Sequence, residues 1–277
     1  MPFTPSHAVV ALPFVGTPLV PAAIAVGAMT PDLPLFVRGT PIRYGWTHDL
    51  LWLPTTVVLA LVLLLVWRCA LRPAVRELSP APLAARLPGE WDAGAVASLR
   101  ETFGRGRPDA AAPGRSWTAV PLLVVSLVIG VVSHIVWDLF THEGRWGVAA
   151  IPALDTAWGP LDGYKWLQHG SSVVGLAILA VWGLVWLARR RPEASVTRVL
   201  PAWVRWVWML SLPAILVAAL VIGYAMWGPF DARFTVQHLA YRTLPPASAM
   251  WGVVTLVLCI VVQAVRAARR CAAVGAR

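Results

Sequence analysis

Four ionisable side chains crowd the end of one long apolar run. The stretch SHIVWDLFTHEG, residues 133–144, carries His134, Asp138, His142 and Glu143. Ionisable groups inside a membrane are costly, and they are tolerated where they face a polar cavity or one another. Imidazoles and a carboxylate in this spacing can share a metal ion, or the carboxylate can orient an imidazole that binds one.

Helical geometry places these groups on one stripe. His134 and Asp138 are four residues apart, so their directions on a helix differ by only about 40°. If the helix continues, His142 lies roughly 80° from His134, still on the same side. We expect this stripe to face the interior of a helix bundle. A hydrogen bond between His134 and Asp138 that only locks two helices together is the alternative.

Other apolar segments also carry polar groups at their ends. Asp32 follows a run of small residues in GAMTPDLPLF, and His48 and Asp49 precede the apolar part of YGWTHDLLWL. Asp49 also suits the cap of a helix N-terminus, where a carboxylate accepts backbone hydrogen bonds. The elements that carry these groups must converge if the groups are to act together.

The segment His7–Met29 admits two folds. It is apolar but contains three prolines and a glycine between residues 13 and 21. Proline interrupts helices, so the segment is either one kinked span or a helical hairpin of roughly 7–14 and 19–29. In the hairpin, His7 and Asp32 emerge on the same side. In the single span, His7 ends about 30 Å away, across the bilayer.

Composition predicts an integral membrane protein. Of the 277 residues 58% are hydrophobic and 13% charged, whereas soluble domains average about 25% charged residues. Five apolar runs are long enough to cross a bilayer. We therefore expect an all-α polytopic membrane protein, a single domain over 1–277, with five long transmembrane helices and the N-terminal hairpin. The runs are Leu50–Trp67, Trp117–Phe140, Ser171–Ala188, Trp206–Trp227 and Ser248–Val265.

Basic residues indicate the orientation. If the first long run passes inward, the inner segments 68–116, 189–205 and 266–277 hold 17 Lys and Arg, and the outer loops hold 6. Cytoplasmic loops carry such an excess, so we place these segments in the cytoplasm and the polar cluster at the outer face of the inner cell membrane. The Pro-, Gly- and Arg-rich stretch 72–116 is typical of a flexible loop, with one helix near 91–103.

Several functional classes are excluded. The net charge of +10 is located in loops that contact lipid headgroups, so we expect membrane lipids and not nucleic acid as partners. The three cysteines form no CxxC pair, which argues against disulfides and a thiolate zinc site. The N-terminus has no basic residue before its apolar segment, which is unlike a cleaved signal peptide.

Five motifs follow one another along the chain: MPFTPSHAVVALPF, GAMTPDLPLF, GWTHDLLWL, SHIVWDLFTHEG and LQHGSSVVGL. In this order and spacing they resemble a bacterial membrane family called domain of unknown function 4184. The resemblance covers residues 1–190 well and the rest as a looser apolar tail. The family has no established activity.

The chain is also distantly similar to YdjM-type membrane-bound metal-dependent hydrolases. That similarity implies the hairpin and a hydrolytic activity, although Asp49 stands where a Ser commonly follows the Thr-His pair. The matching positions in this chain are His7, Asp32, His48, His134 and Asp138.

Residues and resemblance together predict a metal-dependent hydrolase that acts on a lipid or a phosphoester at the outer face. The five matching positions would hold one or two divalent ions, zinc first, with Mn²⁺ or Fe²⁺ as alternatives. His142 or Glu143 would act as the catalytic proton shuttle. Two other functions use the same residues: a transporter or channel for an ion or proton, and a structural or assembly protein whose polar groups fix helix packing.

Overall fold

The structure, a computed structural model, describes residues 4–104 and 117–275. Its α-helices, in chain order, are α1 Pro21–Met29, α2 Leu33–Phe36, α3 Tyr44–Thr47, α4 Leu53–Leu65, α5 Val75–Leu78, α6 Ala81–Ala84, α7 Ala95–Thr102, α8 Ala119–Thr141, α9 Trp146–Ala150, α10 Gly163–Ala188, α11 Ala202–Trp227 and α12 Val236–Gly275. The 3₁₀ helices are Thr4–Phe14, Thr30–Asp32, Leu50–Trp52, Arg72–Ala74, Gly89–Asp92 and Pro152–Asp155, and a π-helix covers Val66–Leu71. Two short antiparallel strands, β1 Ala157–Trp158 and β2 Leu161–Asp162, pair Ala157 with Asp162 and Trp158 with Leu161.

Within the described residues, five helices are long and apolar enough to cross a membrane, which confirms the predicted all-α class. The span that contains α8 has 39% of its most apolar window buried, whereas the other four have between 6% and 17%. The helix with the ionisable stripe is therefore the most enclosed of the five. The spans are Leu50–Leu78, Ala119–Thr141, Gly163–Ala188, Ala202–Trp227 and Val236–Ala273.

Two of these helices begin earlier than the apolar runs indicate. α10 starts at Gly163 instead of Ser171, and α12 starts at Val236 instead of Ser248. Hydropathy detects only the part of a helix that lipid surrounds, and it does not detect a polar first turn.

The contacts of the chain fall into two compact units. The first comprises Met1–Leu33, Pro41–Val66 and Leu99–Arg189, and the second comprises Pro34–Thr40, Trp67–Ser98 and Arg190–Arg277. The sequence predicts one membrane domain over 1–277, and the structure adds this division. Every predicted site residue lies in the first unit.

The N-terminal segment forms a hairpin, so the hairpin alternative is confirmed and the single span is wrong. Its first arm is the 3₁₀ helix Thr4–Phe14, which packs against α1. Gly16 turns the chain with a positive φ of 86°, a conformation that glycine adopts at little cost. Pro21 then opens α1, where its missing N–H is not needed. Ser126 of α8 accepts a hydrogen bond from the Val20 N–H (2.9 Å), which anchors this end of the hairpin.

A crossing of glycines holds α1 against α8. A Cβ added at Gly27 would lie 2.7 Å from the carbonyl oxygen of Leu127, and one at Gly130 would overlap the carbonyl oxygen of Ile24. Without side chains at these positions, the two backbones can touch. The C-terminal end of α1 is thereby brought beside His134, one turn further along α8.

Short helices occupy part of the predicted flexible loop 72–116. α7 falls inside the helix predicted near 91–103, while α5, α6 and two 3₁₀ turns precede it. Residues 105–116 lie outside the described residues.

A buried carboxylate explains the order in this segment. Glu77 is fully buried and accepts hydrogen bonds from the backbone N–H groups of Val199 and Leu200, both at 3.0 Å. Arg205 (3.7 Å) and Arg266 (3.5 Å) supply the opposite charge. A buried charge must be paired, so Glu77 and its arginine partners hold this segment in place. They are not charges that simply face water.

Candidate metal centre

Four elements of the first unit bring the five predicted ligands together. His7 lies in the N-terminal arm and Asp32 in the 3₁₀ turn after α1. His48 directly follows α3, and His134 and Asp138 lie in α8. All five are buried, with relative exposures between 1% and 8%: His7, Asp32, His48, His134 and Asp138.

Three ligand atoms form a nearly equilateral triangle. The Nε2 atoms of His48 and His134 are 3.2 Å apart, and each lies 3.4 Å from Oδ2 of Asp138. Ligands bound to tetrahedral zinc at about 2.0–2.1 Å lie roughly 3.4 Å from one another. The triangle therefore has the size of one face of a zinc coordination tetrahedron.

Asp32 lies next to this triangle. Its Oδ1 is 3.9 Å from Nε2 of His48 and 3.8 Å from Nε2 of His134. Its other oxygen, Oδ2, accepts a hydrogen bond from Thr4 Oγ1 at 2.7 Å. This bond fixes the carboxylate and leaves Oδ1 as a fourth ligand atom.

Backbone carbonyls fix the two histidine rings of the triangle. Nδ1 of His134 is 2.7 Å from the carbonyl oxygen of Ala28, and Nδ1 of His48 is 3.0 Å from that of Tyr44. A carbonyl oxygen only accepts, so each Nδ1 donates, and each neutral ring carries its lone pair on Nε2. Metal-binding histidines are oriented in this way.

Several buried polar atoms of the cluster have no hydrogen-bond partner among the described residues. They are His7 Nε2, Asp32 Oδ1, and both Oδ1 and Oδ2 of Asp138. Leaving such atoms unsatisfied costs about 1–3 kcal/mol each, and more for charged groups. Because all of them can act as lone-pair donors to a cation, one or two divalent ions would satisfy them.

His7 extends the cluster on one side. Its ring lies over that of His134, with centroids 4.1 Å apart. Ligand atoms of His7, His134 and Asp138 lie within 4.8 Å of one another, as do those of Asp32, His48 and His134. The residues could thus hold one ion or two. Burial, with a smaller contribution from His134, lowers the pKa of His7 to about 3, so its ring is neutral, as a metal ligand must be.

The two predicted proton shuttles differ in position. α8 ends at Thr141, yet Nδ1 of His142 stays 3.5 Å from Oδ2 of Asp138, and burial lowers the pKa of His142. Its side chain is 20% exposed, so it lies between the cluster and the surface. Glu143 is exposed and accepts a hydrogen bond from Tyr164 (3.3 Å), so the structure does not bring it to the ligands.

Asp49 caps the N-terminus of a helix, which is one of the roles predicted for it from the sequence. Its Oδ1 accepts a hydrogen bond from the backbone N–H of Leu51 at 2.9 Å. Its neighbour His48 alone turns inward.

Sequence reasoning missed the two threonines that support the ligands. Thr4 binds Asp32, and Thr47 Oγ1 donates to the carbonyl of Pro31 (2.7 Å), which ties α3 to the turn that carries Asp32. Both stand within the motifs that hold the histidines, Thr4 in FTPSH and Thr47 in WTHD. Their position close to a candidate ligand in each motif was the sequence feature that could have identified them.

Family comparison agrees with these motifs. The model of the family described as "Domain of unknown function (DUF4184)" matches residues 1–268, from the N-terminal hairpin into α12. The chain belongs to the DUF4184 family. No curated protein and no solved structure matches the chain. The DUF4184 description names no activity, so the site geometry is the main guide to the function.

Proposed function

We propose that this DUF4184 protein is a membrane-embedded, metal-dependent hydrolase that acts on a lipid or a phosphoester at the outer membrane face. The observation that carries the proposal is the triangle of His48 Nε2, His134 Nε2 and Asp138 Oδ2. Zinc suits imidazole and carboxylate ligands at these separations best. One or two ions would be held by His7, Asp32, His48, His134 and Asp138.

The residues present suit hydrolysis. A divalent ion held by these residues would supply a coordinated water with a pKa of about 7 and would polarise the bond to be cleaved. The carboxylates of Asp32 and Asp138 offset the positive charge in this buried place. His142 contacts Asp138 and is partly exposed, so it can accept a proton from the attacking water and return it to the leaving group.

A packing role accounts for the site less well. Helix packing alone would pair each polar group with its own backbone partner. The Nδ1 atoms of His48 and His134 do have such partners, but their Nε2 atoms converge on one another and on Asp138. Packing alone also leaves the Asp138 oxygens without a hydrogen bond from the described residues.

The location supports a substrate at the membrane surface. His134 and Asp138 lie in the last turns of a membrane-spanning helix, close to its end at Thr141. The distribution of basic residues, 17 against 6, favours the outer face for that end. A lipid headgroup or a phosphoester would meet the site there.

Metal analysis tests the ligand set. We expect the purified full-length protein to retain about one or two divalent ions per chain, and His134→Ala and Asp32→Ala to retain almost none. His169→Ala is the matched control, because His169 is an exposed histidine of α10 and should leave the metal content unchanged. A near-zero content in all four proteins, or an equal content, would remove the metal centre.

A hydrolysis assay separates the hydrolase from a transporter. We expect the metal-loaded protein to cleave phospholipids or phosphoesters, and a chelator or His134→Ala to abolish the cleavage. A protein that binds the metal but cleaves no member of such a panel, and that moves the ion across vesicles, would support transport instead.

A further inference from the structure

A groove of about 500 Å³ lies beside His7, between the N-terminal arm, α8 and α10. Its volume falls in the range of sites that hold small ligands, roughly 300–1,000 Å³. Of the described residues that line it, His7 alone is titratable. The wall is mainly apolar, and its aliphatic side chains include Val9, Val136, Val174 and Ile178.

The N-terminal arm Thr4–Phe14 forms one side of the groove. It can approach α10 closely because Gly175 has no side chain. A Cβ added at Gly175 would lie 3.0 Å from the carbonyl oxygen of Ser6 and 3.3 Å from its Cβ. The arm that carries His7 into the metal centre is therefore also the surface on which a ligand in the groove would lie.

The hydroxyl groups of Ser133 and Ser171 in the wall bond to backbone carbonyls of the protein. Ser133 Oγ donates to the carbonyl of Gly130 (2.7 Å), and Ser171 Oγ donates to the carbonyl of Gln168 (3.2 Å). Trp137 Nε1 in turn donates to Ser171 Oγ (3.2 Å). With these groups paired, most of the wall away from Ser6 and His7 is hydrocarbon, which suits an alkyl chain and not a charged headgroup.

Three of the residues that line the groove on α8 and α10 are exposed. Val136, Val174 and Ile178 are 45%, 57% and 46% exposed, and both helices are candidate membrane spans. The outward face of such a span contacts lipid chains. A chain can therefore enter the groove sideways without leaving hydrocarbon.

We propose that this groove holds an acyl chain of the substrate, so that the substrate is a long-chain lipid and not a soluble phosphoester. A chain that lies against the arm leads its polar end to His7 and hence to the metal centre. Little affinity is gained when a chain leaves lipid for an equally apolar groove. Its contribution is to orient the bond to be cleaved. This inference rests on the proposed function for its reaction, but occupancy of the groove can be measured separately.

Photo-cross-linking measures the occupancy. The full-length protein is placed in phosphatidylglycerol vesicles that contain a phosphatidylglycerol with a diazirine in its palmitoyl chain. Val174→Trp fills the groove, and Ile178→Trp is a second filling variant. Val173→Trp is the matched control, because Val173 is an exposed valine of the same helix that does not line the groove. Zinc content is also measured for each protein. No variant replaces a candidate ligand, so the zinc content should not change.

We expect cross-links to groove residues in the wild type and in Val173→Trp, and their loss in both filling variants, with zinc content unchanged in all. Hydrolysis of the long-chain lipid should fall about 100-fold in the filling variants, since a misplaced substrate loses about that much. Cleavage of a soluble short-chain analogue should stay the same.

Three results would overturn the inference. They are groove cross-links that survive both filling variants, equal labelling of the groove and of the Val173 surface by bulk lipid, and cross-links to a second copy of the chain. A wild type without metal but with groove cross-links would instead defeat the proposed hydrolase and leave the chain-binding groove standing.

Discussion

The contact between two histidine nitrogens defines the site at the scale of residues. Nε2 of His48 and Nε2 of His134 approach to 3.2 Å while both Nδ1 atoms face carbonyl oxygens. Two neutral rings held in this way direct lone pairs at each other, which is repulsive unless a proton or a cation lies between them. With two carboxylates beside the pair, the groups together match a divalent ion better than a shared proton.

Thr4 orients Asp32, so its removal should weaken metal binding without removing a ligand. We expect Thr4→Val to lower zinc affinity about 10-fold, because partners that orient ligands contribute about 10–100-fold. Competition with a zinc-sensitive dye measures the affinity. Thr17→Val is the control, since Thr17 is an exposed threonine far from Asp32 in the chain, whose hydroxyl donates to the carbonyl of Phe14 and accepts from the N–H of Leu19. Equal affinities of Thr4→Val and wild type would show that Thr4 does not position Asp32.

His142 should separate metal binding from catalysis. We expect His142→Gln to keep the metal content of the wild type and to reduce lipid hydrolysis by about 10²–10⁴-fold, the usual contribution of a general acid or base. The comparison needs metal analysis and turnover on the same preparation. Metal loss in His142→Gln would make His142 a ligand, and unchanged turnover would remove it from the mechanism.

At the scale of elements, the glycine crossing of α1 and α8 determines whether the ligands meet. Gly130→Ala would force the two backbones apart, because the added Cβ would overlap Ile24. We expect a loss of about 1–3 kcal/mol in the free energy of unfolding, which is typical of overpacking. Metal content should fall too, since the carbonyl of Ala28 would leave His134.

Gly183→Ala is the matched control for that variant. Gly183 lies in α10, and a Cβ added there meets nothing within 4 Å. Thermal unfolding in detergent should separate the two alanine variants clearly. If both behave alike, the crossing does not hold the site together.

The ligand stripe of α8 was predictable from the sequence, and the crossing was not. The spacing of His134 and Asp138 specifies one face of a helix whatever the tertiary structure is. Which helix packs against that face depends on the close approach that Gly27 and Gly130 allow. The periodicity of a single sequence does not show that these two glycines face each other. The hairpin was predictable as one of two alternatives because prolines and Gly16 limit the backbone.

The described part of the segment 72–116 contains short helices that the local composition does not indicate. Its Pro, Gly and Arg content is typical of a solvated loop, and the short helices there depend on the buried carboxylate of Glu77. Its partners Val199 and Arg266 are more than 100 residues away in the chain. Long-range pairing of this kind has no local signal.

At the scale of the whole molecule, the distribution of arginine predicts the orientation in the membrane. Seventeen of the 23 basic residues fall in three segments that we place in the cytoplasm. Cys271, exposed in the last of these segments, provides the test. With Cys69 and Cys259 replaced by alanine, we expect an impermeant maleimide to label Cys271 only after the cells are permeabilised.

A cysteine on the opposite side completes the experiment. Ala157→Cys, in a chain without other cysteines, lies in the exposed strand β1 and should be labelled in intact cells. The reverse pattern would place the candidate metal centre at the cytoplasmic face. It would also contradict the proposed outer-face substrate.

X-ray absorption at the edge of any metal that copurifies with the protein tests whether His48, His134 and Asp138 bind it. We expect a four-coordinate shell of nitrogen and oxygen at about 2.0–2.1 Å, with the multiple scattering of at least two imidazoles and no sulfur at about 2.3 Å. In His134→Ala the imidazole signal should fall or the metal should be lost. A sulfur shell, or a metal bound without imidazole, would contradict a centre built from His48, His134 and Asp138.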